Sequence, residues 1–363
     1  MSKSLLRVLF AGVGLLAASA TYAQDSLQIY GIADTYVEGI SGGGGSIWRL
    51  QSGGRSASRL GFKGREDLGG GLYSVFTLEM GINFDDGSTG QGSTFGRQSF
   101  VGVGDERFGA VTLGRQYTGF WHITDEFSEF SNSPDGPSSA TVGGFGGYEP
   151  VRGSDDSATG HGAPARIDNA VKYETPVWGG FRFGVQGGFG EVVNNAGGNR
   201  IYDGYARYDQ GPVDLALGVV DDKGGSVSPL AHRRSWIVGA AYSFGNLSFK
   251  GAFLFVDDRT PTNLDGSGWW LGADYKFGVN LVKIQYVENR PKYIDDAKTQ
   301  GLGVQYEYTL SKRTLLYTGV TYFKNQENAG SGLGRASFTI PAGVTNTVDN
   351  DLTEWVGGIR FSF

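Results

Sequence analysis

From Leu27 onwards, apolar and polar residues alternate in runs of about ten positions, the length of a strand that crosses a bilayer. The pattern is clearest in Leu247-Ser-Phe249-Lys-Gly251-Ala-Phe253-Leu-Phe255, in Phe181-Arg-Phe183-Gly-Val185-Gln-Gly-Gly-Phe189 and in Leu302-Gly-Val304-Gln-Tyr306-Glu-Tyr308. A period of two places one set of side chains on each face of a strand, so each run predicts a strand with one apolar and one polar side. The chain ends in the same way: Trp355, Ile359, Phe361 and Phe363 form one stripe, and Glu354, Val356, Gly358, Arg360 and Ser362 form the other. Sixteen such strands are expected near 26–40, 53–66, 71–84, 94–104, 109–118, 166–176, 179–190, 201–211, 212–222, 233–244, 247–258, 267–277, 279–290, 299–310, 313–324 and 353–363.

The connections alternate between very short and long. Asp67-Leu-Gly-Gly-Gly71, Asp105-Glu-Arg-Phe108, Gly211-Pro212, Gly245-Asn246 and Ser311-Lys312 are built from turn-forming residues, and long links fall between them. An even number of antiparallel strands lets the first pair with the last, which leaves no open sheet edge in lipid. The fold class expected is therefore all-β: a transmembrane antiparallel 16-stranded β-barrel, wide enough to hold an aqueous channel.

Composition supports this reading. Only 39% of residues are hydrophobic and 62 are glycine, too polar for a helical membrane protein, yet aromatics make up 13% of the chain. A lipid-facing barrel needs an apolar residue only at every second strand position. Residues 1–23 read as a secretory signal, with Lys3 and Arg7 before an apolar stretch from Val8 to Ala20 and a small-residue cleavage site at Thr21-Tyr-Ala23. Residues 24–363 then form the barrel domain. The formal charge of −6 becomes more negative once Lys3 and Arg7 leave, which argues against nucleic acid as a partner. Cysteine is absent, so there are no disulfides and no thiolate metal sites, and no spacing of residues calls for a cofactor.

Several motifs carry a resemblance: Leu27-Gln-Ile-Tyr-Gly31, Ser58-Arg-Leu-Gly-Phe-Lys-Gly-Arg-Glu-Asp-Leu68, Phe100-Val-Gly-Val103, Gly109-Ala-Val-Thr-Leu-Gly-Arg-Gln116 and Arg360-Phe-Ser-Phe363. In this order the chain resembles the trimeric general porins of Gram-negative outer membranes. The resemblance implies a homotrimer in the outer membrane, with lipid and lipopolysaccharide around it. It also implies that barrel-insertion machinery reads the terminal aromatic, Phe363, as an assembly signal. A third external loop would fold into the lumen and narrow it, its acidic residues facing arginines on the wall. The matching link here runs from 119 to 165, and Asp125, Glu126, Glu129 and Asp135 are its acidic candidates.

The basic side follows from strand parity together with this resemblance. Arg55, Arg59, Lys63 and Arg65 share one face of the second expected strand, and Leu60 and Phe62 share the other. Cations on the lipid side would cost roughly 2–4 kcal/mol each near mid-membrane, so this face belongs to the lumen. Arg59, Arg115 and Arg166 match the family's constriction arginines, and Arg97 joins them by parity. Some of these arginines would serve only to anchor the folded-in loop.

The function expected is passive diffusion of small hydrophilic solutes and ions. A substrate-preferring channel is the alternative within transport, and a surface adhesin or a barrel enzyme are alternatives outside it. The enzyme fares badly, because His122, His161 and His232 all fall in expected connections. Asp pairs at 85–86, 155–156, 221–222, 257–258 and 295–296 lack the spacing of a full oxygen-ligand set.

Overall fold

The computed structural model describes residues 26–130, 163–191, 193–194, 200–223, 232–259, 265–292, 297–326 and 351–363. The expected signal segment, Asp135 and the Asp pairs at 155–156 and 295–296 lie outside them. The strands are β1 (Ser26–Gly42), β2 (Gly45–Ser52), β3 (Arg59–Gly69), β4 (Leu72–Gly81), β5 (Gln98–Asp105), β6 (Gly109–Tyr117), β7 (Arg166–Glu174), β8 (Phe181–Gly188) and β9 (Arg200–Gln210). They continue as β10 (Val213–Lys223), β11 (Arg233–Phe244), β12 (Leu247–Asp258), β13 (Gly266–Phe277), β14 (Asn280–Pro291), β15 (Lys298–Thr309), β16 (Thr314–Gln326) and β17 (Leu352–Ser362). One helix, α1 (Gly119–Glu126), follows β6.

Neighbouring strands pair antiparallel, and β17 returns to β1 in a register that sets Ile32 opposite Ser362 and Ser41 opposite Thr353. Beyond the last strand, Phe363 and Gly31 exchange both backbone hydrogen bonds at 3.1 Å. The sheet thus closes on itself. Seventeen strand segments fill sixteen wall positions, because β2 pairs with the later half of β1 and β3 with its first half.

This split corrects the expected second strand at 53–66. Residues 53–58 leave the wall instead: Gly53 adopts φ +82, and Ser56 donates its backbone N–H to the Asp34 carboxylate at 2.8 Å. Arg55 is carried across to Glu307 on β15, which it reaches at 2.5 Å.

Outward positions are the exposed apolar ones. Trp355, Ile359, Phe361 and Phe363 lie exposed on β17 and its end, while Glu354 and Val356 are buried within. The same alternation exposes Leu215 and Leu217 on β10 and buries Ala216 and Val220. The tight turns that join successive wall strands lie at the end with Ser26 and Phe363, and the long links lie at the other, where the β1–β2 turn at 43–44 is also found.

The principal buried cluster is not a central core. It lies where α1 and the residues after it meet the inner wall, and it includes Phe120, Ile123, Phe127, Ile237, Leu254 and Trp270. No helix among the described residues is long and apolar enough to cross a membrane.

Candidate constriction of the lumen

The chain re-enters the barrel because α1 has both a cap and a seat. Thr118 caps it, its hydroxyl accepting from the Trp121 N–H at 3.0 Å. The Asp203 carboxylate on β9 accepts from the N–H groups of Gly119 at 2.7 Å and Phe120 at 3.1 Å. A carboxylate there satisfies N–H groups that the helix leaves unpaired and complements its dipole. Phe120, Ile123 and Phe127 recur at helical spacing and bury one face of the segment.

Glycines on the wall make room for that face. A Cβ at Gly218 on β10 would stand 2.8 Å from the Ile123 side chain, and one at Gly239 on β11 would stand 2.6 Å from the Phe127 ring. Further along, the Trp270 indole N–H donates to the Phe127 carbonyl at 2.9 Å. The Gln285 side-chain oxygen accepts from the Glu129 N–H at 2.7 Å and from the Ser128 hydroxyl at 3.1 Å. The segment is therefore pinned along β9 to β14.

On the wall before the helix, two of the four expected arginines meet around one phenol. Arg97 and Arg166 each donate to the Tyr117 hydroxyl, at 2.6 and 2.5 Å. The Arg166 guanidinium also lies 4.3 Å from the ring centroid. Arg97 is held from its other side by Glu79 on β4, at 2.7 Å, and the Tyr30 hydroxyl donates to the second Glu79 oxygen at 2.9 Å. Arg59 lies within electrostatic reach of Arg97, Glu79 and Asp125.

Arg115 is placed differently. It shares the alternation of Val111 and Leu113, which face outwards, until the register shifts between Gly114 and Gln116. Its guanidinium donates to the Gly96 carbonyl at 2.6 Å and to Asp168 at 2.5 Å. Sequence parity did not register this bulge.

The acidic candidates also separate. Asp125 lies on the helix face away from the wall, in reach of Arg59. Glu126 turns instead to Arg207 on β9 and to His122, 3.5 Å away. Burial opposes its charge, but His122 and Arg207 hold its carboxyl down to about 2. Glu129 is buried over Gly272 on β13, and its closest cation is Lys250 on β12 at 3.8 Å. Burial, with Asp274 beside it, pushes its carboxyl up to about 8 against the pull of Lys250 and Lys283.

Sequence reasoning missed Glu79, Tyr117, Arg207, Lys250, Lys283 and Glu307. A signal was available: Glu79 is the one charge in the run Leu72–Gly81, and a carboxylate in a bilayer-crossing strand calls for a cation inside. Lys283 and Arg55 share Glu307, which makes a second group of two cations and one carboxylate on the inner wall. No group of carboxylates and histidines among the described residues is arranged to hold a metal ion.

Comparison with known proteins agrees with this architecture. A family model described as Gram-negative porin matches residues 9–328. Outer membrane porin protein 32 of Delftia acidovorans is 35% identical over 347 residues, which cover 92% of each chain. An outer membrane porin protein of Bordetella pertussis is 30% identical over 395 residues, covering 90% of this chain and 95% of its own. The solved anion-selective porin from Comamonas acidovorans superposes with a TM-score of 0.80 at 31% identity, over 94% of this chain and all of that one. A closed barrel with an inward-folded segment, matched along nearly its whole length by outer-membrane channels, places this chain in the Gram-negative porin family as an outer-membrane pore for passive diffusion of hydrophilic solutes.

Proposed function

We propose that this pore favours anions, and that Arg59, Arg97 and Arg166 on one wall, facing Asp125 of α1, form its narrow section. The observation that carries the reading is the division of charge inside the barrel. Arg97 and Arg166 converge on Tyr117 with Glu79 beside Arg97 and with Arg59 in electrostatic reach, while Glu126 is turned towards Arg207 and Glu129 lies buried near Lys250. The excess at the passage is positive although the chain as a whole carries −6. A positive field in a narrow, low-dielectric passage enriches anions without a tight site. Arg115, bound to Asp168 and Gly96, braces the wall beside Arg97. The anion preference named for the Comamonas acidovorans porin supports the same sign.

In this reading the protein performs no chemical conversion. It works as a homotrimer among the lipids and lipopolysaccharide of the outer membrane, where insertion machinery reads Phe363. The experiment is the reversal potential of the wild-type channel across a planar bilayer in asymmetric potassium chloride. Chloride preference is expected, and potassium preference would overturn the proposal.

A further inference from the structure

The long-link end of the outer wall carries cations of two kinds. Most are matched by carboxylates on the same rim: Arg234 with Asp221 at 2.8 Å, Arg259 with Asp257 at 3.0 Å, and Arg290 with Glu288 at 2.6 Å. One carboxylate from each of two Asp pairs noted in the sequence, Asp221 and Asp257, is engaged in this way.

Arg200 and Lys223 differ. They stand directly opposite each other, at the start of β9 and the end of β10, in the register that also pairs Tyr202 with Asp221. Arg200 shares the parity of exposed Tyr202, and Lys223 that of exposed Leu215 and Leu217, so both belong to the outer face. Neither has a carboxylate partner among the described residues. Of the two links leaving this corner, 224–231 contains no Asp or Glu and 189–199 contains one acid, Glu191. Two like charges set directly across a strand pair are destabilising when nothing lies between them.

Both cations are also oriented. Lys223 Nζ lies 5.4 Å from the Tyr202 ring centroid, and Arg200 donates to the Tyr202 hydroxyl at 3.3 Å. An aromatic with two cations beside it, at the boundary between the apolar wall and the long links, presents donors at the depth of lipid headgroups.

We propose that Arg200, Lys223 and Tyr202 form a site for the phosphate of an anionic lipid headgroup in the outer leaflet. A phosphate monoester supplies several acceptor oxygens and close to two negative charges, enough to bridge a guanidinium and an ammonium and remove their repulsion. The proposal rests on the outer-membrane orientation of the barrel and is independent of events in the lumen.

The test uses the folded wild-type protein in mixed micelles containing diphosphoryl lipid A, with native mass spectrometry counting retained lipid. Wild type is expected to retain the phosphorylated lipid at least tenfold better than its dephosphorylated counterpart. R200Q/K223Q is expected to lose that difference, while R259Q, at an ion-paired position, keeps it. The single variants R200Q and K223Q, each expected to lose part of the preference, serve if the double variant does not fold. Retention by the variants equal to wild type would overturn the site, as would displacement of the lipid by equimolar inorganic phosphate. A change in subunit association instead of lipid retention would assign this face to a second copy of the chain and also overturn it. Channel reversal potential, measured on the same variants, is expected to stay at the wild-type value, which separates this test from that of the pore.

Discussion

Replacing Arg59 and Arg166 together with glutamine tests the electrostatics of the passage most directly. Arg97 stays, because its removal would strand Glu79 in a buried site. Arg166 lies against the Tyr117 ring at 4.3 Å, and Arg59 lies within reach of Asp125 on the facing helix. At a separation of about 6 Å from an ion, one guanidinium charge contributes roughly 0.7 kcal/mol in a water-like dielectric. Screening at 0.1 M salt reduces this to roughly 0.4 kcal/mol per charge. Two charges act with opposite sign on cation and anion, so the permeability ratio changes by roughly 1.6 kcal/mol, or about tenfold towards cations. At 1 M the screening length falls to about 3 Å and the expected change shrinks to about twofold. Reversal potentials at both salt concentrations read this out. A folded double variant with the wild-type potential at 0.1 M would remove these arginines from control of permeation.

Three further outcomes follow from the pinned segment and the closed seam. Gly239→Val intrudes on the Phe127 ring, overpacking costs typically about 1–3 kcal/mol, and single-channel records should show several conductance levels; one wild-type level would contradict the docking account. Glu129 holds a proton in the docked loop up to about pH 8, above its ordinary 4.5, so docking should weaken as pH rises through that interval. Tryptophan fluorescence, sensitive to Trp270 at the docked segment, should follow that change, and E129Q should flatten it; an identical titration in E129Q would refute the assignment. Deleting Phe363 removes the two backbone bonds to Gly31 and the proposed signal, and the yield of heat-modifiable barrel in the outer membrane should fall severalfold; a normal yield would count against both roles.

The barrel was legible because a strand's period of two exposes every second residue, and sixteen such runs leave few other folds open. What parity could not locate was the departure from it. The alternation leaves 41–52 as a connection, yet Ile47, Trp48 and Leu50 lie in β2. Residues 53–58 were read as wall, yet their partners are Asp34 on β1 and Glu307 on β15. A contact with a residue 252 positions away leaves no local trace. Arg115 shows the same limit at smaller scale, since a single register shift at Gly114 separates it from the arginines its motif suggested.

The acidic side of the passage depended on a helical phase invisible in a segment read as loop. Once Phe120, Ile123 and Phe127 are committed to the wall, a turn of 100° per residue directs Asp125 away from it and leaves Glu126 at its flank. Gln285 then fixes the chain at Ser128 and Glu129, and the Glu129 side chain settles over Gly272 instead of facing the arginines. Of the three described candidates, Glu126 is thereby matched by Arg207, and Glu129 is held neutral by burial up to about pH 8, before any solute enters. This is how an acidic chain can carry a basic passage: carboxylates spread over the molecule set the net charge, whereas the field at the constriction is set by the few groups that the phase of α1 leaves facing Arg59 and Arg166.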